Sequence, residues 1–159
     1  MNHRPILTIL VPALVVIHLF LHLALGIGRG APDLMTVALL LAAREWRMGG
    51  GGALGFFFGL LEDSFSVLAF GANTLALTVV GVLGARTRDL FVGESALFFF
   101  SYLSVGKILR DLIHWVAAGE GVREPFLSAI VVDSTVAAIY GAVVGLILLF
   151  PFKRSEAVL

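Results

Sequence analysis

The stretch PFLSAIVVDSTVAAIYGAVVGLILLF, Pro125 to Phe150, holds a single charged side chain, Asp133. It exceeds the ~20 apolar residues that a helix needs to cross the hydrocarbon of a bilayer. Worked outward from it, the chain divides into five more apolar runs. Pro5–Ile27 and Glu94–Ala118 are of similar length, whereas Pro32–Arg44, Gly52–Leu68 and Asn73–Ala85 are shorter. Backbone N–H and C=O groups find no water inside a membrane, so each run is expected to be helical. The expectation is an all-α integral membrane domain over residues 1–159 with six transmembrane helices. Pro32 and Pro125 stand at first-turn positions, where a missing N–H costs little. Gly26, Gly28 and Gly30 are expected to break the chain before the second span, and Gly49–Gly52 before the third. Pro5–Ile27 is about twice the length of a signal-peptide core and ends in no small-x-small site, so it reads as a retained first span.

Composition agrees with a membrane chain. Its 159 residues are 59% hydrophobic and 14% charged, with a mean hydropathy of +1.02. Soluble domains are nearer half apolar and a quarter charged. A formal net charge of zero leaves no footprint for nucleic acid. With no cysteine there is no disulfide, thiolate metal site or thiol nucleophile. No Gly-x-Ser-x-Gly elbow, His-Glu-x-x-His or phosphate loop occurs, and Gly49–Gly52 is not followed by Lys-Ser/Thr. A protein that is not an enzyme, without cofactor or metal, is expected. Phe56–Phe58 and Phe98–Phe100 read as packing or lipid-facing residues.

Lys and Arg positions set the orientation. With the N-terminus inside, the cytoplasmic ends carry Arg4, Arg44, Arg47, Arg86, Arg88, Lys153 and Arg154, against Arg29 and Arg123 outside. An even number of spans then puts both termini in the cytoplasm of a bacterial cell, the chain lying in the inner membrane.

That orientation gathers ionisable residues at one depth. His18, His22, Glu62, Asp63, Lys107, Arg110, Asp111, His114 and Asp133 all fall at or beyond the midplane on the outer side, with Ser66 beside them. Ionisable groups in a span are costly and are functional candidates. Lys107, Arg110, Asp111 and His114 share one helical stripe, and Lys107–Asp111 is a plausible i, i+4 pair. Glu62 and Asp63, being adjacent, point ~100° apart and are no acid/base pair. A buried ion network that fixes helix packing is the ordinary reading of such a set. A ligand pocket, a histidine metal site and a contact with a partner are the others. Small residues form two stripes, Gly51, Gly55, Gly59 and Ala137, Gly141, Gly145. They imply that the third and sixth spans pack closely through their inner halves and splay outward around the polar set.

The second to fourth spans also carry a resemblance. Pro32-Asp33-Leu34 opens a short apolar helix ending in basic residues. Gly55-Phe-Phe-Phe-Gly59-Leu-Leu-Glu62-Asp63-Ser-Phe-Ser66 follows, then Gly71-Ala-Asn73-Thr-Leu-Ala-Leu77. This resembles the rod shape-determining membrane protein family MreD, which shows a Pro-Asp-Leu start, a Gly-Leu-x-x-Asp segment and a glycine eight residues after that aspartate. Asp63 and Gly71 keep that spacing, and the similar region covers roughly residues 32–77. The resemblance implies a fold similar to the six-helix S component of energy-coupling vitamin transporters. It implies Pro32, Asp33, Leu34, Gly59, Glu62, Asp63, Ser66, Gly71 and Asn73 as family-motif positions. It further implies a cell-shape role in the bacterial elongation complex. There the chain would bind an MreC-like single-span periplasmic protein within membrane lipid. It would act indirectly with MreB and the cell-wall synthases to influence sidewall peptidoglycan synthesis. The alternative is a small-molecule-binding subunit like an S component. Against that stands the first span, where Ala13 and Ala24 lie eleven apart rather than forming an Ala-x-x-x-Ala docking patch.

Overall fold

A computed structural model describes residues 4–24, 32–66, 68–90 and 95–156. The described residues are helical throughout, joined by short turns. The expected breaks at Gly26, Gly28 and Gly30, with Arg29, and the expected start at Glu94, lie outside them. Six α-helices follow in order: α1 Arg4–Leu19, α2 Leu34–Ala43, α3 Met48–Asp63, α4 Ala72–Leu90, α5 Ala96–Ala117 and α6 Thr135–Glu156. Two π-helical segments extend them: Phe20–Ala24 continues α1, and Leu127–Ser134 leads into α6.

The bundle is arranged around α2. All ten of its residues are buried, and it touches α1, α3, α4, α5 and α6. Its sequence, LMTVALLLAA, is apolar on every face, as a helix wrapped by others must be. Asp33 starts it: the carboxylate accepts from the Thr36 backbone N–H at 3.0 Å and from the Thr36 hydroxyl at 2.7 Å. Such a cap satisfies one of the free donors of the first turn. Ser95 does the same for α5, accepting from Phe98 N–H at 3.1 Å. At ten residues α2 is ~15 Å long, half a hydrocarbon core. Its neighbours cover it on every side. Among the described residues, Leu127–Leu148 is the helix long and apolar enough to cross a membrane by itself, while Leu7–His22 and Leu34–Ala43 are apolar but shorter.

Three expectations about the third span are corrected. Gly49–Gly52 does not break the chain but lies inside α3, which begins at Met48. Glycine costs roughly 1 kcal/mol per residue in a helix interior relative to alanine, and here that cost is offset by close packing. Secondly, α3 ends at Asp63 rather than Leu68, because the Asp63 side chain is committed across the following turn. Thirdly, the glycine stripe packs against α4 and not α6. A methyl group at Gly51 would run into the carbonyl of Gly81, at Gly55 into that of Leu77, and at Gly59 into the backbone of Thr74. So close a backbone-to-backbone approach is open only to glycine, and it brings the two helices into tight contact. The stripe on α6 faces elsewhere. Gly145 meets Leu103 of α5 and Val37 of α2, and Ala137 and Gly141 border a small cavity beside Asp33 and Lys107.

The surface is as apolar as the interior. Ile9, Phe57, Leu68, Phe70, Leu97, Val105, Val136 and Ile147 are all more than half exposed. Phe56 and Phe57 point outward, whereas Phe58 and Phe98–Phe100 lean on the core.

Candidate functional site

Two polar units meet at the end of the bundle where α3 ends and α4 begins. The first is built on Asp63, which is fully buried. Its carboxylate accepts from Gly71 N–H at 2.9 Å, Asn73 N–H at 3.1 Å, Thr74 N–H at 2.8 Å and the Thr74 hydroxyl at 2.6 Å. The first turn of a helix presents N–H groups without intrahelical partners, and a negative charge there is favoured. Asp63 thus caps α4 from the end of α3, across the intervening turn. Gly71 has a φ of +93°, a conformation that only glycine adopts without strain. The eight-residue spacing from Asp63 to Gly71 therefore has a structural reason. It closes the turn that brings the carboxylate onto the start of the next helix.

The second unit is an ion network joining four helices. Arg110 of α5 reaches Glu62 of α3 at 2.6 Å and Asp111 at 3.1 Å. Lys107 bonds Asp111 at 2.5 Å and Asp33 at 3.2 Å. The expected intrahelical pair Lys107–Asp111 is therefore present, and each cation also ties α5 to another helix. His18 of α1 completes the network. The Met35 backbone N–H points at its Nδ1 at 3.4 Å, which leaves Nε2 on the other edge of the ring. That Nε2 faces Glu62 at 3.4 Å. His22, in the π-helical segment, stacks on the His18 ring at 4.1 Å and donates to the His18 carbonyl at 3.0 Å.

Asn73 joins the two units. Its backbone N–H goes to Asp63, and its side-chain oxygen accepts from Arg110 at 2.6 Å.

Of the expected cluster, the structure brings together His18, His22, Glu62, Lys107, Arg110 and Asp111. It separates Asp63, whose carboxylate turns to the α4 backbone, as the divergence of adjacent helical residues demands. Ser66 lies on the turn, its N–H bonded to the Asp63 carbonyl at 2.9 Å. His114 and Asp133 lie on the outer side of the network, where they line a cavity of about 440 Å³ with Lys107, Arg110 and Asp111. This cavity lies between α5 and the π-helical Leu127–Ser134. Trp115 and Arg123 roof it. The Trp115 indole N–H donates to the Glu124 carbonyl at 2.9 Å, and the Arg123 guanidinium sits 4.9 Å over the indole. Extra turns of π-helix recur at functional sites because they re-aim side chains; here one presents His22 and the other Asp133.

Asp33 and Asn73 belong to this site although neither stood in the expected charge cluster. Their signal was depth: both open their helices at the level of the other polar groups. His18, Asp33 and Glu62 offer ligand-type atoms within 4.8 Å of one another. Each of these side chains already has another partner, His18 in the Met35 N–H, Asp33 in Lys107 and Glu62 in Arg110, and the two cations supply positive charge beside them. The arrangement suits holding helices in fixed register. Removing one member of such a buried pair leaves an uncompensated charge, at a cost of about 3–5 kcal/mol.

No protein-family model matches the chain, and no curated protein and no solved structure matches it.

Proposed function

We propose that this chain is a six-span integral membrane scaffold of the MreD type, similar in fold to the S components of energy-coupling transporters. Both termini lie in the cytoplasm of a bacterial cell. In this reading it binds an MreC-like single-span periplasmic protein and influences sidewall peptidoglycan synthesis, indirectly with MreB and the cell-wall synthases. One observation carries the proposal. The residues that bear the family resemblance, Asp33, Asp63, Gly71 and Asn73, are bonded into one assembly with Lys107 and Arg110. A motif scattered over forty-odd residues of sequence is thereby a single structural unit.

The membrane reading has its own support. Many large apolar side chains are exposed along the helices, while the ion network is largely shielded. The basic residues outside the network lie mostly at the end opposite to it, as the inside-positive rule demands. The partner's span would lie on an apolar helix face, with further contact at the outer mouth of the polar network.

Co-purification in mild detergent, together with depletion in a rod-shaped host, tests the proposal. A single-span periplasmic partner should co-purify, and depleted cells should round. Absence of a partner with cell shape unchanged would remove the reading.

A second reading rests on the cavity of about 440 Å³ beside His114 and Asp133. That volume falls within the range of small-molecule sites, as a solute-binding S component would need. A stoichiometric small molecule in the purified protein would favour it over the scaffold.

A further inference from the structure

A second cavity, of about 330 Å³, opens on the opposite half of the bundle between α4 and α5. Its floor is Leu40 of α2, and glycines flank it on both sides. A methyl group at Gly106 would strike the Leu40 side chain, and one at Gly84 would strike the Tyr102 hydroxyl. The lips are apolar and open: Leu83 is 43% exposed and Val105 is 64% exposed. From Phe98 to Leu109 the groove follows α5 for ~16 Å at 1.5 Å per residue. One leaflet of hydrocarbon is ~15 Å deep, half of a ~30 Å core. The groove therefore runs the depth of a single leaflet and stops where Lys107 and Arg110 begin.

Its outer mouth is not apolar. The guanidinium of Arg44, at the end of α2, lies 4.7 Å over the Phe98 ring and 5.9 Å from that of Tyr102, both of which line the groove. The rings hold the guanidinium by its face. Its N–H edge makes no ion pair with a carboxylate among the described residues. A guanidinium held this way presents a fork of donors matched to phosphate oxygens. Under the inside-positive orientation this mouth is cytoplasmic, on the leaflet that carries anionic lipid.

We propose that the groove between α4 and α5 holds one acyl chain of an anionic phospholipid of the cytoplasmic leaflet, with the lipid phosphate on Arg44. The inference rests on the membrane reading above and not on the elongation-complex role. The length of the groove selects an acyl chain, and the Arg44 cation at its mouth selects an anionic headgroup. Tyr102 lies in the floor of the groove: its hydroxyl donates to the Leu40 carbonyl at 2.8 Å and rests against Gly84 of α4.

The test uses the full chain, purified in mild detergent and offered dioleoyl phosphatidylglycerol or dioleoyl phosphatidylcholine. Retained lipid is read by native mass spectrometry. The wild type should keep phosphatidylglycerol as a one-to-one adduct, preferred about fivefold, the factor expected for one basic residue near an anionic headgroup. Arg44→Gln should bring the preference close to one, while Arg44→Lys should keep most of it. Val105→Trp, a change at an exposed lip that the fold tolerates, should lose both lipids. Equal retention of the two lipids by the wild type would overturn the proposal. So would an unchanged preference in Arg44→Gln, or a groove filled by a polypeptide rather than a lipid. A chain that stays monodisperse in water without detergent would overturn the membrane reading and this proposal with it. Lipid selectivity without any co-purifying partner would overturn the scaffold role alone and leave this site standing.

Discussion

The carboxylate of Asp63 accepts the backbone N–H of Gly71 at 2.9 Å. Two more backbone donors and one hydroxyl share the same side chain. Asp63→Asn keeps the volume but places an NH2 group against N–H donors. Hydrogen bonds to a charged, buried group contribute ~1.5–3 kcal/mol each way they are broken, so a loss on the order of 3 kcal/mol is expected. Thermal unfolding in mild detergent measures it. A midpoint equal to that of the wild type would show that the cap is dispensable.

Arg110 and Glu62 form the central pair of the ion network. Arg110→Gln leaves the carboxylate of Glu62 without its cation, while Asp111 keeps Lys107, and should cost about 3–5 kcal/mol. Adding Glu62→Gln should restore a large part of that loss, because the second change removes a stranded charge. A double-mutant cycle reads the coupling. Simple additivity of the two losses would mean that the pair is not energetically linked.

The α3–α4 seam predicts a contrast between glycines. Gly55→Ala places a methyl group on the Leu77 carbonyl, whereas nothing lies within 4 Å of a methyl group at Gly141. Forced overpacking costs about 1–3 kcal/mol. The first variant should therefore be clearly destabilised, and the second should match the wild type or gain slightly in helix propensity. Equal effects at both positions in a detergent melt would contradict the assignment of α4 as the partner of the glycine stripe.

Tyr102→Phe removes a buried hydrogen bond to the Leu40 carbonyl. Leaving that buried carbonyl without the hydroxyl should cost about 1–3 kcal/mol. A change of several kcal/mol would show that the hydroxyl has a wider structural role than holding one ring.

The sequence made the helices and the depth of the charges legible, because both follow from local rules. An apolar run in a poor hydrogen-bonding medium has one stable backbone, and helical spacing puts Lys107, Arg110 and Asp111 on one face whatever surrounds them. Partner choice was less accessible. Gly51, Gly55 and Gly59 announced a close approach, but two helices offered small residues. The decision for α4 came from Gly81 lying opposite Gly51, a fact of register between helices. The end of α3 was misplaced for a similar reason. Ser64 to Leu68 are compatible with helix, and what stops the helix is the pull of Asp63 on N–H groups eight to eleven residues ahead. In the sequence Asp33 and Asn73 both read as motif residues. Each turned out to serve a second partner on α5, Lys107 and Arg110 respectively.

The ion network also has a direction in time. A helix carrying Lys and Arg near its centre enters a bilayer at a cost of ~2.5–3.5 kcal/mol for each. The carboxylates that answer Lys107 and Arg110 across the bundle, Asp33 and Glu62, lie earlier in the chain. A ribosome therefore delivers the acids before the bases. On the membrane reading proposed above, α5 would find its counter-charges already waiting, and the costliest segment to insert would also be the one that locks the first half of the protein.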